Sequence, residues 1–388
     1  MKTEIPFRCW AEIDLDALAG NLRQLRSLRD KSEPLIAVIK ANAYGHGAEP
    51  VARRLWREGV RMAAVANVRE AAAVSRAAPG LKVLLLSPLL PVEIGLLIKR
   101  PRWIATVSSL GELALFERAA ARQRKKISVH LELDTGMGRT GAFSRGLIEL
   151  LRRIRKSQWI EWSGLFSHLT FEDINCGSAR QLAQFKAFCG FLSRTEKLPF
   201  LHFESSSGGV ILPGARGRRD DPPRGMRCGL ALYGIPEPLS AWTRKLGAHP
   251  LRPVLTWKTR IGLVREMPAG TPISYGGTFR TRRKTRVAVL CAGYADGLPR
   301  KLSNRGEVLI HGRRCRILGR VTMDMVMVDV TRLPRARWGD EVVLIGKSGR
   351  DEITAGEFAG WAETISYEVL CGISSRVSRI YEGGGVES

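Results

Sequence analysis

Eight short apolar runs, separated by stretches of helical periodicity, most constrain how this chain can fold. They are PLIAVIK (34–40), MAAVAN (62–67), KVLLLS (82–87), ATVSS (105–109), ISVHLELD (127–134), WSGLFSH (162–168), FLHFES (200–205) and MRCGLALYG (226–234). Between them lie EPVARRLWREG (49–59), VREAAAVSRAA (68–78) and SLGELALFERAAARQR (109–124), with apolar residues at i, i+3 and i+4. Strands that are apolar throughout, rather than alternating, belong to a parallel sheet covered on both faces. An open doubly wound sheet fits this alternation as well as a closed barrel. The count of eight selects an N-terminal (β/α)8 TIM-like barrel.

From about residue 246 the texture changes. VLTWKTRIGLVREM, TRVAVLCAGYA, EVLIHGRRCRILGRV, MVMVDV and DEVVLIG are β-rich and separated by glycine and proline turns. They predict a C-terminal, mostly antiparallel β-domain, with one late helix over 354–365. The expected division is 1–245 for the barrel and 246–388 for the β-domain. At 388 residues the chain is long enough for two sizeable cores.

The net charge of +25 is unusual. Basic clusters stand at 152–158, 215–225 and 280–286, without interleaved aromatics and without a recognition helix. They read as a solvated arginine-rich surface, and no nucleic-acid partner is expected. The most apolar stretch, VLLLSPLLPVEIGLLI (83–98), holds two prolines and a glutamate, so no membrane span is expected. Seven scattered cysteines with no C-x-x-C pair suit a reducing cytoplasm and argue against a metal site.

Lys40 ends the first of the eight runs, at the barrel end where such folds keep their chemistry. On this segment alone, a lysine snorkelling from a strand end is as good a reading. Tyr44 follows on a glycine-flanked loop. DTGMGRTG (134–141) sets Arg139 after the fifth run, and GLALYGI (229–235) closes the eighth. All these segments open onto one mouth.

Taken together, AVIKANAYGHG, LDTGMGR, MRCGLALYGI, ISYGGTF, GYADG and GRVTMDMVMVDV, in this order, strongly resemble the alanine racemases. The likeness runs from WAEIDLDAL (10–18) to ISSRVSRIY (373–381). It implies a pyridoxal 5'-phosphate enzyme of the cytoplasm, interconverting L- and D-alanine for peptidoglycan, whose homodimer shares its active sites between subunits. It implies that Lys40 holds the cofactor and acts as one base, and that Tyr275, from the partner's β-domain, is the other. Without the likeness, Tyr275 would be a packed β-domain tyrosine. The likeness further implies that Arg227 faces the pyridine nitrogen and that His168 packs beside the ring. Tyr44, Ser206 and the backbone of Gly229 and Leu230 would cradle the phosphate. Arg139 would touch the cofactor's phenolic oxygen and the substrate carboxylate. Met323 and Asp324 would approach that carboxylate, and Tyr294 would line the entrance.

Three positions depart from the family pattern. Glu132 stands where many members carry a carbamylated lysine, and is expected to orient Arg139. Ser375 replaces a tyrosine, leaving room for a hydroxylated side chain, so serine is an alternative substrate. GARGRRDDPPRG (214–225) is an insertion, read as a surface loop. Two rival functions remain. Gly136, Gly138 and Gly141, with Glu161, match a dinucleotide fingerprint, but four strand–helix pairs precede them. A decarboxylase of the same cofactor class would lack ISYGGTF and GYADG.

Overall fold

A computed structural model of the chain describes residues 7–28, 33–170, 177–204, 223–236 and 250–383. It begins with a strand, β1 (Cys9–Asp14). The eight apolar runs then become β2 (Leu35–Val38), β3 (Met62–Val65), β4 (Lys82–Leu85), β5 (Trp103–Val107), β6 (Ile127–Glu132), β7 (Ile160–Phe166), β8 (Phe200–Glu204) and β9 (Arg224–Cys228). All neighbours pair in parallel, and β9 returns to β2, so the sheet closes. Closure decides for the barrel and removes the open-sheet setting that the dinucleotide fingerprint requires. The last run is cut short at Cys228, because its second half turns into the one-turn 3-10 helix Leu230–Tyr233.

Helices form where the periodicity places them. Ala48–Arg57 buries Ala48, Val51, Ala52 and Leu55 on one face. Val68–Ala77 starts at Asn67, whose side chain accepts from the N–H groups of Arg69 and Glu70. Leu110–Gln123 starts likewise at Ser109, which accepts from Glu112 N–H. Each such cap contributes about 1 kcal/mol. The barrel interior departs from the usual filling of branched apolar side chains: Thr106, His130, His202 and Arg227 are all buried within it.

A second unit is a nine-stranded sheet built around the long strand β10 (Leu255–Met267). Its pairs are antiparallel except one: β1 lies antiparallel to β10 but parallel to Ser378–Glu382. Thus Cys9–Asp14, not singled out as a strand from sequence, sits in this sheet with Trp10, Ala11 and Ile13 buried. The chain divides into Met1–Ala17, Tyr44–His46 and Pro253–Ser388 on one side, and Leu18–Ala43 with Gly47–Arg252 on the other. The late helix forms over Ala355–Ala362, capped by the Thr354 hydroxyl. No described helix is long and apolar enough to cross a membrane.

Candidate active site

Beyond β2 the backbone does something costly. Ala41, Asn42, Ala43 and Tyr44 all adopt left-handed angles, with φ between 51° and 56°. L-residues disfavour this by roughly 1–2 kcal/mol each, so the surroundings must hold the turn. Glu70 does much of this, accepting from the N–H of Ala41 at 2.8 Å and of Ala66 at 2.7 Å. Asn42 closes the turn: its side chain accepts from Ala48 N–H and its carbonyl from Gly47 N–H. Gly45 is required, since a Cβ there would meet the Leu370 carbonyl oxygen at 2.3 Å. Strain of this kind gathers at functional sites, and Lys40 is the residue it presents.

Arg227, on β9, is only 3% exposed. Its Nη1 donates to His202 Nδ1 at 2.6 Å and to the His202 carbonyl at 2.8 Å. Its Nη2 donates to the Ser167 carbonyl at 2.7 Å and faces His168 Nδ1 at 3.3 Å, while the guanidinium lies 5.1 Å from the Phe166 ring centre. A guanidinium only donates, so His202 Nδ1 must accept. His202 therefore carries its proton on Nε2 and donates it to His130 Nδ1, 2.7 Å away. Burial first, and then the Arg227 charge, pushes His130 down to about 3 and His202 well below the ordinary imidazole value. Both rings are neutral. His168 falls to about 3 by burial and then by the charges of Arg227, Arg139 and Lys40. Those three cations are thus gathered around one neutral ring.

Asp134 folds the loop after β6 by accepting from the N–H groups of Gly136, Met137 and Gly138. Gly141 N–H is held by the Ser108 hydroxyl at 2.9 Å. Glu132 is buried beneath this loop, and its Oε2 has no hydrogen-bond partner among the described residues. Burial pushes its carboxyl up, opposed by the Thr140 hydroxyl and by the charges of Arg227 and Arg139. No ion pair joins Glu132 to Arg139 among the described residues. The expected orienting contact is therefore felt only through space, since a glutamate is shorter than a carbamylated lysine. Cationic donors dominate this mouth, which suits a group rich in acceptors and negative charge. A phosphorylated pyridine aldehyde and an amino-acid carboxylate are of that kind. Gly229 and Leu230 are buried where β9 turns into the short helix. Ser206 and residues 214–222 of the insertion lie outside the described residues.

In the sheet unit the candidates look different. Tyr275 is 72% exposed, and Tyr294 and Met323 are exposed too. Ser274 precedes Tyr275 with φ 62° and ψ −177°, a region nearly restricted to glycine. Its hydroxyl donates to the Arg320 carbonyl at 2.6 Å. Tyr294 N–H bonds the Thr322 carbonyl and Ala295 N–H the Met323 carbonyl, which brings the GYADG and VTMDM loops together. Asp324 pairs with Arg376 at 2.9 Å, beside exposed Ser375. Tyr44 meets Tyr367 edge-on, with ring centres 5.7 Å apart.

Reading the sequence alone passed over His130, His202, Glu70 and Ser274. The first two were findable, as each interrupts a largely apolar strand, β6 and β8 respectively.

Two family descriptions match the chain: the N-terminal domain of alanine racemase over residues 13–237 and its C-terminal domain over residues 254–381. An alanine racemase of Symbiobacterium thermophilum is 41% identical over 379 residues, covering 96% of this chain and 97% of that one. The crystal structure of alanine racemase from Bacillus anthracis with bound L-Ala-P is 30% identical, with a TM-score of 0.88 over 98% of this chain and 97% of that one. That of the Bartonella henselae alanine racemase, with covalently bound pyridoxal phosphate, is 29% identical, with a TM-score of 0.85 over 97% of this chain and all of the other.

Proposed function

This chain belongs to the alanine racemase family, and on that premise we propose how its residues divide the work of a pyridoxal-phosphate-dependent racemase. Inverting an amino acid at Cα requires a proton to leave one face and another to arrive on the opposite face. Lys40 Nζ serves one face and Tyr275 Oη the other, exchanging roles with the direction of the reaction. Each positioned base contributes about 10²–10⁴-fold. The cofactor, when bound, delocalises the electron pair left at Cα.

The observation that carries this reading is the buried Arg227, donating through both terminal nitrogens among neutral imidazoles. A guanidinium can only donate, so a pyridine nitrogen held against Arg227 would accept an N–H and stay unprotonated, and the electron sink would stay weak. Return of the proton to Cα is then favoured over side reactions. Neutral His168 packs beside the ring without adding charge. Arg139 holds the substrate carboxylate and the phenolic oxygen. Tyr44, Ser206 and the backbone of Gly229 and Leu230 hold the phosphate. The partner's Tyr275, Met323 and Asp324 complete a shared site in a cytoplasmic homodimer, with Tyr294 at its entrance. On this reading residues 1–245 bind the cofactor, β1 excepted, and 246–388 supply the second base; the product serves peptidoglycan.

Ser375 favours a broader substrate range. Its small exposed side chain stands beside the Asp324–Arg376 pair, and a methyl-sized pocket rejects an added hydroxyl only weakly. Holoenzyme incubated with L-alanine or L-serine and followed by chiral chromatography tests both readings. Alanine should reach equal amounts of the two enantiomers, and serine should follow more slowly. Stable L-alanine in the presence of bound cofactor would refute the first reading, and serine turnover unchanged in Ser375→Tyr the second.

A further inference from the structure

The opposite end of the barrel holds a cavity that the racemase reading does not use. Its volume is about 560 Å³, within the range of small-molecule sites. It is lined by the first turns of the strands: Ile36 of β2, Met62 of β3, Ile104 of β5 and Phe200 of β8 make its apolar wall. Lys82, Arg61 and Arg102 stand over it, against a single carboxylate, Glu161.

Its hydrogen-bonding groups are out of balance. The Lys82 ammonium makes no hydrogen bond or ion pair with any described residue, while the backbone N–H of Lys82 donates to the Arg61 carbonyl. Arg61 engages only Nη1, on the carbonyls of Trp56 and Val60, and stacks 4.3 Å from the Trp56 ring centre. Arg102 engages only Nη1, on the Gly80 carbonyl at 3.3 Å. At the floor lies His130, 1% exposed. The tautomers imposed by Arg227 leave its remaining proton on Nε2, where no described residue accepts it. Gly164 is what lets this ring lie there: a Cβ would stand 2.4 Å from Nε2. Three cations and one buried imidazole thus line one hollow whose side-chain acceptors are Glu161 and the hydroxyls of Ser128 and Ser163, the latter two already bonded to each other.

We propose that this hollow binds a small oxyanion, a phosphate or a carboxylate, seated between Lys82, Arg61 and Arg102 with one oxygen accepting from His130 Nε2. Several acceptor oxygens on one compact group match several unengaged donors, and charge-assisted bonds of this kind are the strong ones. The site is independent of the racemase reading, and it gives part of the large positive charge a local role.

The test is calorimetric titration of the holoenzyme, cofactor bound, with inorganic phosphate and separately with succinate in a non-coordinating buffer. Saturable binding of one equivalent per chain is expected for at least one of the two anions. The arm that binds more tightly identifies phosphate or carboxylate as the preferred group. Lys82→Met and Arg102→Met, both at exposed positions, should each weaken this binding by about tenfold or more, that being the worth of one charge-assisted bond. Arg282→Met, in the exposed 280–286 run, should leave it unchanged, and racemisation should be the same in all three variants. No saturable binding of either anion, or equal weakening by Arg282→Met, would overturn the proposal.

Discussion

The barrel and the sheet offer their candidate residues in opposite ways. In the barrel, Arg227 and Glu132 are buried, His168 is half-buried, and the three are electrically coupled. In the sheet, Tyr275, Tyr294 and Met323 stand exposed on loops, and only the backbone beneath them is fixed. One half is preorganised within its own unit; the other presents apolar and phenolic side chains that only another surface would desolvate. Exposed apolar clusters of this kind mark interaction surfaces. The difference teaches that the two proposed bases would be prepared by different means.

Acid should separate the halves most strongly. The folded state holds His130, His168 and His202 neutral far below their ordinary range, while the unfolded chain protonates each near 6.5. The unfolded state therefore binds more protons as pH falls below 6.5, and stability is lost from there downward. By pH 5 the loss is about 2 kcal/mol per histidine. Glu132, with its carboxyl pushed up, opposes this in part. In the sheet, Glu363 is held down to about 2 by Lys301 and Arg305, so its contribution survives until pH falls below the ordinary carboxylate value. Hydrogen exchange at pH 5 should accelerate in β6 and β8 before the sheet strands; uniform acceleration would erase the distinction.

Two arginines provide a smaller contrast. Arg227→Leu leaves a buried imidazole nitrogen and two carbonyls without donors, which costs about 3–5 kcal/mol. Arg314 also has several partners, Asp351, Glu307 and Glu357, but in a solvated network. Arg314→Leu should cost about 1 kcal/mol or less. Urea unfolding of both variants measures the gap, and equal costs would break the comparison.

The smallest effect sharpens it from the sheet side. Ser274→Gly relieves a glycine-like conformation but removes the bond to the Arg320 carbonyl, so stability should move by less than about 1 kcal/mol. Turnover should nevertheless fall about tenfold, because Tyr275 loses its aim. An unchanged kcat would mean that Ser274 does not direct its neighbour.

Much of this was legible in the sequence, for identifiable reasons. Eight apolar runs gave eight barrel strands because burial on both faces leaves no alternation to misread. Their ends were less clear: Trp103 opens β5 two residues before the run read as ATVSS, and Gly229 ends the eighth run early. Cys9–Asp14 escaped notice because its partners lie more than 240 residues away, in β10 and Ser378–Glu382. Lys40 was visible as a charge ending an apolar run. The left-handed turn after it was not, because Ala41 and Ala43 carry no signal for positive φ, a lone Asn42 carries only a weak one, and the turn is held by Glu70 and Ala48. His130 and His202 needed strand register to be seen as one chain ending on Arg227.

The central claim is that Lys40 and Tyr275 of different subunits serve one carbon, and mixing two inactive variants tests it most directly. Lys40→Ala and Tyr275→Phe homodimers should each be inactive. Unfolded together in equal amounts and refolded with cofactor, they should regain about a quarter of wild-type racemisation, since half of the symmetric dimers formed are hybrids carrying one intact site of two. A refolded mixture that dimerises and binds cofactor yet stays inactive would contradict the account.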